Sequence, residues 1–308
     1  MAFEGIAKLP FWRTLLEAHR GVAEAEAAFW RHALLWLFIW LALDAVINWF
    51  YWPEDDNAGE FAAASGLYLL ASATLWIVVG GFVGVPLHRW LLRDSIVGDG
   101  SLPAAARPPT FARYIARNAF IAAMAFLLFA CLAVVVSTYI GSSFAQSAPA
   151  VLLADSDATD VVASLEWNAG STAGSRAVRF VLIVGTLVLM TPLFALLLYI
   201  PTRLCLALPA TAIDSPRQSF KFAWFASRGS FWRLFWGGLL SYWPVLVVGG
   251  AEFALIGVES QSQVYYVLSQ SVATATNFFA GLIWVAFFSL AYRHLVMDAE
   301  RNVEADGE

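Results

Sequence analysis

The sequence predicts an all-α fold, a polytopic membrane bundle of about six transmembrane helices with interfacial helices on the cytoplasmic side. Of the 308 residues, 60% are hydrophobic and only 13% are charged, about half of the charged fraction of a typical soluble domain. The apolar residues gather into runs of roughly twenty, the length with which a helix crosses a bilayer. The chain also has 14 Trp, a residue that collects where hydrocarbon meets headgroups.

Six runs are long enough to cross a hydrocarbon layer of about 30 Å at about 1.5 Å per residue. These predicted spans lie near residues 33–51, 62–87, 119–140, 178–200, 234–256 and 267–292. Charges inside them are few, with Asp44 in the first span and Glu252 near the end of the fifth. The first run is longer than the apolar core of a secretory signal and follows some thirty residues that include four Glu, which predicts a span that is retained.

The chain is expected to have three parts. Residues 1–30 form a cytoplasmic amphipathic N-terminal helix, residues 31–294 the six-span domain, and residues 295–308 an acidic cytoplasmic tail. The longest interior segment between predicted spans, residues 141–177, has fewer than forty residues. The connections are therefore too short to hold a separate soluble domain.

The distribution of basic residues predicts the orientation. Of the 18 Lys and Arg, all but Arg176 and Arg179 fall in the N-terminal segment, the second and fourth loops and the C-terminal segment. The alternate loops are acidic or neutral. Because Lys and Arg are retained on the cytoplasmic side during insertion, both termini are expected in the cytoplasm.

Two cytoplasmic segments have the pattern of interfacial helices. Residues 11–30 place apolar and charged side chains at helical spacing. A second helix is expected to begin at Ser215-Pro216, a capping residue followed by proline at the first helical position. Along it, Arg217, Lys221 and Arg228 recur on one side among aromatic residues, which predicts contact with anionic lipid. The alternative is an ordinary basic loop that packs on the bundle.

Residues 111–120 are echoed by residues 222–231. The two segments share both terminal Phe, one Ala and one Arg, and each precedes a predicted outward-going span. We interpret them as copies of a repeated unit, an interfacial helix followed by a helical hairpin, related in parallel topology.

Small residues and prolines predict how the spans pack and bend. Gly80, Gly81 and Gly84 in the second span let another helix approach closely. Prolines are expected to kink or end helices at four places: Pro86, Pro192, Pro201 and Pro244.

The end of the fourth span and the loop after it carry a family pattern. The chain reads Tyr199-Ile-Pro-Thr-Arg203-Leu-Cys-Leu-Ala-Leu-Pro209-Ala-Thr-Ala-Ile-Asp214, and later Gly229-Ser-Phe-Trp232. This pattern, over residues 199–232, resembles the membrane domain found beside some bacterial glycerophosphoryl diester phosphodiesterases and the related YciC-like inner-membrane proteins. The resemblance implies a bacterial inner membrane. It does not imply the phosphodiesterase activity, which belongs to a separate soluble barrel for which this chain has no room.

The sequence has no recognisable pattern for intramembrane catalysis. Ser65 and Ser142 lie in turns resembling those of intramembrane serine proteases, but neither has a histidine on the same side of the membrane to act as base. Cys131 and Cys205 have no partner at metal-site spacing and are expected to be small apolar fillers. The histidines form no His-Glu-x-x-His zinc pattern: His19, His32, His88 and His294. We therefore expect no enzyme, metal, cofactor or nucleic-acid partner.

Asp44 is the polar residue that the sequence singles out. It lies in the middle of the first span, and Asn48 follows one turn later on the same helical face. A carboxylate is costly to bury in hydrocarbon, so it is expected to face the bundle interior, a partner or water. One hypothesis is a proton or cation site of Asp44, Asn48 and Asn277, with Thr274 as a further candidate. The other is a protonated or hydrogen-bonded Asp that pins two helices.

The sequence favours a non-enzymatic inner-membrane protein with an envelope or lipid-associated role, whose partners are membrane lipids or another membrane protein. The alternative is a small-solute or lipid transporter with a polar site around the first and sixth spans. A water-accessible cavity in the middle of the bundle would favour transport. A bundle packed with Leu and Phe would favour the structural role.

Overall fold

The computed structural model describes residues 9–50, 58–96, 108–147, 192, 195–255 and 263–298. All regular elements among these residues are helices and none is a strand, which confirms the all-α class for the described part of the chain. In chain order the helices are α1 Phe11–Ala23, α2 Ala27–Phe50, α3 Ala58–Ile96, α4 Pro108–Ser147, α5 Tyr199–Leu204, α6 Ala207–Ala212, α7 Phe220–Ala226, α8 Phe231–Ser241, α9 Trp243–Leu255 and α10 Gln263–Tyr292, followed by a π-helical turn at Arg293–Met297.

Within the described residues, four helical segments are long and apolar enough to cross a membrane, and the bent pair α8–α9 makes a fifth if it counts as one span. The fourth predicted span, residues 178–200, lies largely outside the described residues. The apolar helices are consistent with a multi-pass membrane protein. The segments overlap the other five predicted spans: Ala27–Trp49, Ala73–Arg93, Pro109–Leu128, Val267–Met297, and Phe231–Ser241 with Trp243–Gly249.

The chain divides into two compact units. One comprises Met1–Ala122 with Tyr199–Glu308, and the other Ala123–Leu198. In the first unit, α10 is the central helix and packs against α1, α2, α3, α8 and α9. Its side chains Phe287 and Phe288 are fully buried.

Two prolines act differently on their helices. Pro244 is the second residue of α9, and α8 and α9 meet there at an angle of 41°, because proline has no N–H for the preceding turn and its ring clashes with that turn. Pro86 lies inside the continuous helix α3. It leaves the carbonyl of Phe82, four residues earlier, without its helical donor, and His32 Nε2 of α2 hydrogen-bonds this oxygen at 3.0 Å. A neighbouring helix thus satisfies the carbonyl that the proline frees.

The N-terminal amphipathic helix is shorter than the prediction of residues 1–30. It ends at Ala23, and a short non-helical segment separates it from α2, which begins at Ala27. Its buried face includes Leu15 and Ala18 and packs on α10. Glu17 joins this contact, since its carboxylate lies 2.7 Å from Arg13 Nε and 3.2 Å from Arg293 Nη2.

The pKa of Glu17 reflects this docking. Partial burial acts to raise it, but the hydrogen bond and charge of Arg13, with the charge of Arg293, outweigh burial and hold the pKa below its usual value. A carboxyl with a depressed pKa stabilises the folded state above its unfolded pKa, and this contribution is lost as the pH falls through the folded value.

The predicted close approach at the glycines of the second span is confirmed. A Cβ at Gly81 would lie 2.5 Å from Ile115 Cγ1, and a Cβ at Gly84 would lie 2.7 Å from the Tyr114 hydroxyl. Both neighbours are side chains of α4. The missing side chains of α3 therefore let α4 pack directly on the backbone of α3.

Gly237 of α8 makes a similar contact with α10, because a Cβ there would overlap the ring of Phe287. We expect Gly237→Ala to lower the free energy of unfolding by about 1–3 kcal/mol, the usual cost of overpacking. Gly249→Ala in α9 is the control, since a Cβ there meets nothing within 4 Å. Thermal unfolding of the detergent-solubilised variants measures both, and equal melting temperatures would contradict the packing.

Candidate polar site in the helix bundle

Asp44 faces the interior of the bundle and is joined to the sixth predicted span. It is 2% exposed. Thr274 of α10 donates from Oγ1 to Asp44 Oδ2 at 2.8 Å. The hydrogen bond links the first described apolar helix to the last.

The two predicted amides take up different bonds. Asn48 donates from Nδ2 to the backbone oxygen of Asp44 at 2.8 Å, and Asn277 donates from Nδ2 to the backbone oxygen of Ala273 at 3.0 Å. Each of these bonds lies within the residue's own helix. The structure therefore joins Asp44 to Thr274, while the amide nitrogens of Asn48 and Asn277 back-bond to α2 and α10.

A second polar feature, a chain of hydrogen bonds through three side chains, lies near the C-terminal end of α10. It was not predicted from the sequence. His88 of α3 lies between two hydroxyl groups: Nδ1 is 2.6 Å from Ser289 Oγ, and Nε2 is 3.0 Å from the Tyr114 hydroxyl. All three residues are buried. The chain connects α3, α4 and α10, and no motif announces it because His88 and Ser289 are 201 positions apart.

The protons of this chain can be assigned from its partners. Ser289 donates from Oγ to the backbone oxygen of Val285 at 2.8 Å, so Ser289 Oγ accepts from His88 Nδ1–H, and His88 Nε2 accepts from the Tyr114 hydroxyl. A serine 2.6 Å from a histidine nitrogen has the spacing of a nucleophile and its base. With this assignment the lone pair of His88 faces the Tyr114 hydroxyl, and the three side chains link α3, α4 and α10.

A cavity of about 40 Å³ lies between α2, α3, α4 and α10. Its wall is mainly aromatic side chains and glycines, and Tyr114 and Asn118 contribute polar groups. Trp40 and Phe278 also line it. These two residues are one helical turn from Asp44 and Thr274 respectively, so the cavity lies between the Asp44–Thr274 pair and the Tyr114–His88–Ser289 chain along the bundle.

Asp214 brings arginine side chains together at one end of the bundle, which we call the basic end. Its carboxylate is 3.0 Å from Arg89 Nη2 and 2.9 Å from Arg113 Nη2, and it accepts from Thr110 Oγ1 at 2.8 Å. Arg89 Nε also donates to the backbone oxygen of Ala212 at 2.7 Å. These bonds tie the turn after α6 to the end of α3 and the start of α4.

Arg203 anchors the segment that follows. It is buried and donates from Nε to Ser227 Oγ and from Nη1 to the Tyr199 hydroxyl, both at 2.8 Å, and from Nη2 to the backbone oxygen of Trp224. Its guanidinium lies 3.8 Å from the centroid of the Trp224 ring. Arg203 and Tyr199 of the family-like pattern therefore hold α7 and its C-cap through Trp224 and Ser227. Asp214 of the same pattern holds the turn that precedes α7.

Helix α7 begins later than predicted. Ser219 is its N-cap and accepts from the Phe222 N–H at 3.1 Å. The predicted cap, Ser215, instead accepts from the Arg217 N–H at 3.2 Å and the Tyr292 hydroxyl at 3.3 Å. The prediction of a helix start at Ser215-Pro216 was wrong because the chain turns there, with Asp214 at a φ of 54°.

The three predicted lipid contacts are all exposed, although they do not share one helix face. Arg217 precedes α7, Lys221 lies within it, and Arg228 follows its end. The repeat is also unequal in structure. Residues 111–120 lie within the continuous helix α4, whereas residues 222–231 are interrupted between α7 and α8, where Gly229 has a φ of 81°.

Cys205 is buried in the same region. Burial raises the pKa of its thiol, so the sulfur stays protonated and packs as an apolar group. Cys131 lies where side chains are outside the described part of the structure. Within the described residues, no group of three or more His, Cys, Asp or Glu is placed to hold a metal ion.

In the part of the chain that the structure describes, the fold is all-helical, with four or five segments able to cross a membrane. Comparison with known proteins found no match to a family model, a curated protein or a solved structure.

We expect Asp214→Asn to destabilise the basic end by about 1–3 kcal/mol, because Arg89 and Arg113 lose their anion. Partial exposure of Asp214 places the effect toward the lower value. Thermal unfolding and the rate of tryptic cleavage at Arg217 and Lys221 measure it. In the control, Glu24→Gln removes an exposed carboxylate 4.0 Å from Arg20. If both variants unfold and cleave alike, Asp214 does not fasten the segment.

Proposed function

We propose that this chain is a non-enzymatic multi-pass protein of a bacterial inner membrane, with six spans and both termini in the cytoplasm. In this proposal it associates with anionic lipid through segment 217–232. The alternative partner of the same exposed segment is another membrane protein. The carrying observation is that Arg217, Lys221 and Arg228 are exposed together with aromatic side chains. The resemblance of residues 199–232 to bacterial inner-membrane domains supports the location.

The exposure of two aromatic residues in segment 217–232 supports the proposed interfacial contact. Phe225 is 43% and Trp232 57% exposed, and the Arg217 guanidinium lies 5.7 Å from the Phe222 ring centroid. Trp is favoured at the boundary between headgroups and hydrocarbon. Lys and Arg near an anionic leaflet add about 1 kcal/mol each.

Contacts among the basic segments support a single cytoplasmic end. Arg93 of the second loop lies 3.7 Å from Glu26 of the N-terminal segment, and Arg89 pairs with Asp214 of the fourth loop. Arg293 near the C-terminus pairs with Glu17. All four segments that the charge asymmetry assigns to the cytoplasm are thus joined by ion pairs.

We expect the triple variant Arg217→Gln, Lys221→Gln, Arg228→Gln to retain anionic lipid roughly a hundredfold less strongly, since three contributions of about 1 kcal/mol are removed. Native mass spectrometry of protein released from nanodiscs of mixed phosphatidylglycerol and phosphatidylethanolamine measures the bound headgroups. The difference from wild type should shrink as salt is added.

The matched control is Arg20→Gln, Arg31→Gln, Arg93→Gln. These three residues are also exposed and belong to the same basic end, so the net charge changes equally. If the control loses anionic lipid as fully as the test variant, overall charge and not segment 217–232 determines binding. That result would contradict the proposed contact.

Transport is the second candidate function, and one observation favours it. Asp44 and Thr274 are hydrogen-bonded inside the bundle, and the cavity begins one turn away at Trp40 and Phe278. A buried carboxylate in an apolar helix marks an ion or proton pathway by default. The same pair also fits the structural hypothesis, in which it pins α2 to α10.

Asp44→Asn separates these two roles, because the amide keeps the size of the side chain and an acceptor for Thr274 but holds no charge or exchangeable carboxyl proton. If Asp44 is a site, abundance stays unchanged and proton flux into liposomes loaded with a pH-sensitive dye is lost under an imposed potential. Thr274→Val is the control that removes the hydrogen bond and keeps the carboxyl. Reduced abundance of both variants, with wild-type flux per molecule, would contradict the transport candidate.

A further inference from the structure

The cavity in the bundle is shaped by missing side chains. Gly281 of α10 lines it, and a Cβ at this position would meet nothing within 4 Å. Gly80 of α3 also lines it, and a Cβ there would stop 3.5 Å from Asn118 Nδ2. Two glycines on opposing helices therefore keep the space open beside the amide of Asn118.

Asn118 is the unusual member of the cavity wall. The residue is only 5% exposed. Among the residues that the structure describes, no donor or acceptor pairs with its side-chain amide, in contrast to Asn48 and Asn277, which are hydrogen-bonded. An amide has two donor hydrogens and an acceptor oxygen. Leaving these groups unmatched in an apolar interior is unfavourable, so the amide calls for a hydrogen-bonding partner in the cavity.

The size and chemistry of the cavity identify that partner. A buried water needs about 10–15 Å³ and two to four polar contacts, and the cavity offers about 40 Å³ with Asn118 and Tyr114 among the residues of its wall. This is room for about three waters.

We infer that the cavity is an internal hydration site, in which water binds the Asn118 amide and the Tyr114 hydroxyl. Water at Tyr114 extends the Tyr114–His88–Ser289 chain toward the Asp44–Thr274 pair. Thr274 and Ser289 are fifteen residues apart on α10, about 22 Å along the helix axis, so polar groups and water line much of a hydrocarbon layer of about 30 Å. The inference is independent of lipid binding, and it adds the hydrated step that the transport candidate requires.

Radiolytic hydroxyl-radical footprinting in nanodiscs tests the site, because radicals formed from internal water oxidise adjacent aromatic rings. Tyr114 and Tyr292 form a matched pair, with 1% and 2% exposure, and within the described residues only Tyr114 of the two lines this cavity. We expect Tyr114 to be oxidised several-fold faster than Tyr292. Equal rates in the wild-type protein would overturn the inference.

Two variants locate the water. Asn118→Leu removes the amide, and Gly281→Ala places a methyl group in the open space; each is expected to bring oxidation of Tyr114 down to the rate of Tyr292. Gly281→Ala keeps the test decisive if Asn118→Leu fails to fold. Unchanged oxidation of Tyr114 in Gly281→Ala, or a higher melting temperature of Asn118→Leu with unchanged oxidation, would show that the amide binds no water. Footprinting needs no flux, so loss of the transport candidate would leave this result standing.

Discussion

Burial among apolar helices separates polar groups from water, and the architecture of this bundle depends on how each of them is satisfied. Where Pro86 frees a backbone carbonyl, His32 of the neighbouring helix hydrogen-bonds it. Where Asp44 enters the interior, Thr274 donates to its carboxylate. Where His88 is buried, hydroxyl groups flank both ring nitrogens. In each case the partner comes from another helix, so satisfying a polar group also fixes how two helices pack.

At the basic end, polar groups are also satisfied by partners from other segments, and the interactions there are stronger because they are charged. Asp214 brings two arginines and a threonine together. The guanidinium of Arg203 hydrogen-bonds the Tyr199 hydroxyl and the Trp224 backbone oxygen and lies over the Trp224 ring. Charged hydrogen bonds of this kind are shorter and stronger than neutral ones. They hold segment 217–232 on the bundle and leave its own cations exposed, which is the arrangement that the proposed lipid contact needs.

Predictions from composition and periodicity were accurate where the physical cause is local. Apolar runs predicted five spans that overlap the described apolar segments, glycine spacing predicted that another helix approaches the second span closely, and Pro244 marked a bend. The start of α7 was wrong because Ser215 and Ser219 are both good caps by local criteria. Tertiary contacts chose between them: Tyr292, 77 positions from Ser215, hydrogen-bonds Ser215, and Ser219 is left to cap the helix.

The sequence by itself determined the helical class and the apolar segments, because each follows from the cost of exposing or burying side chains within one helix. Only the tertiary structure paired Asp44 with Thr274, assembled Tyr114, His88 and Ser289, and opened a cavity beside Asn118. These features join residues far apart in the chain, and their geometry depends on the packing of several helices. The spacing of residues along the sequence therefore does not predict these contacts.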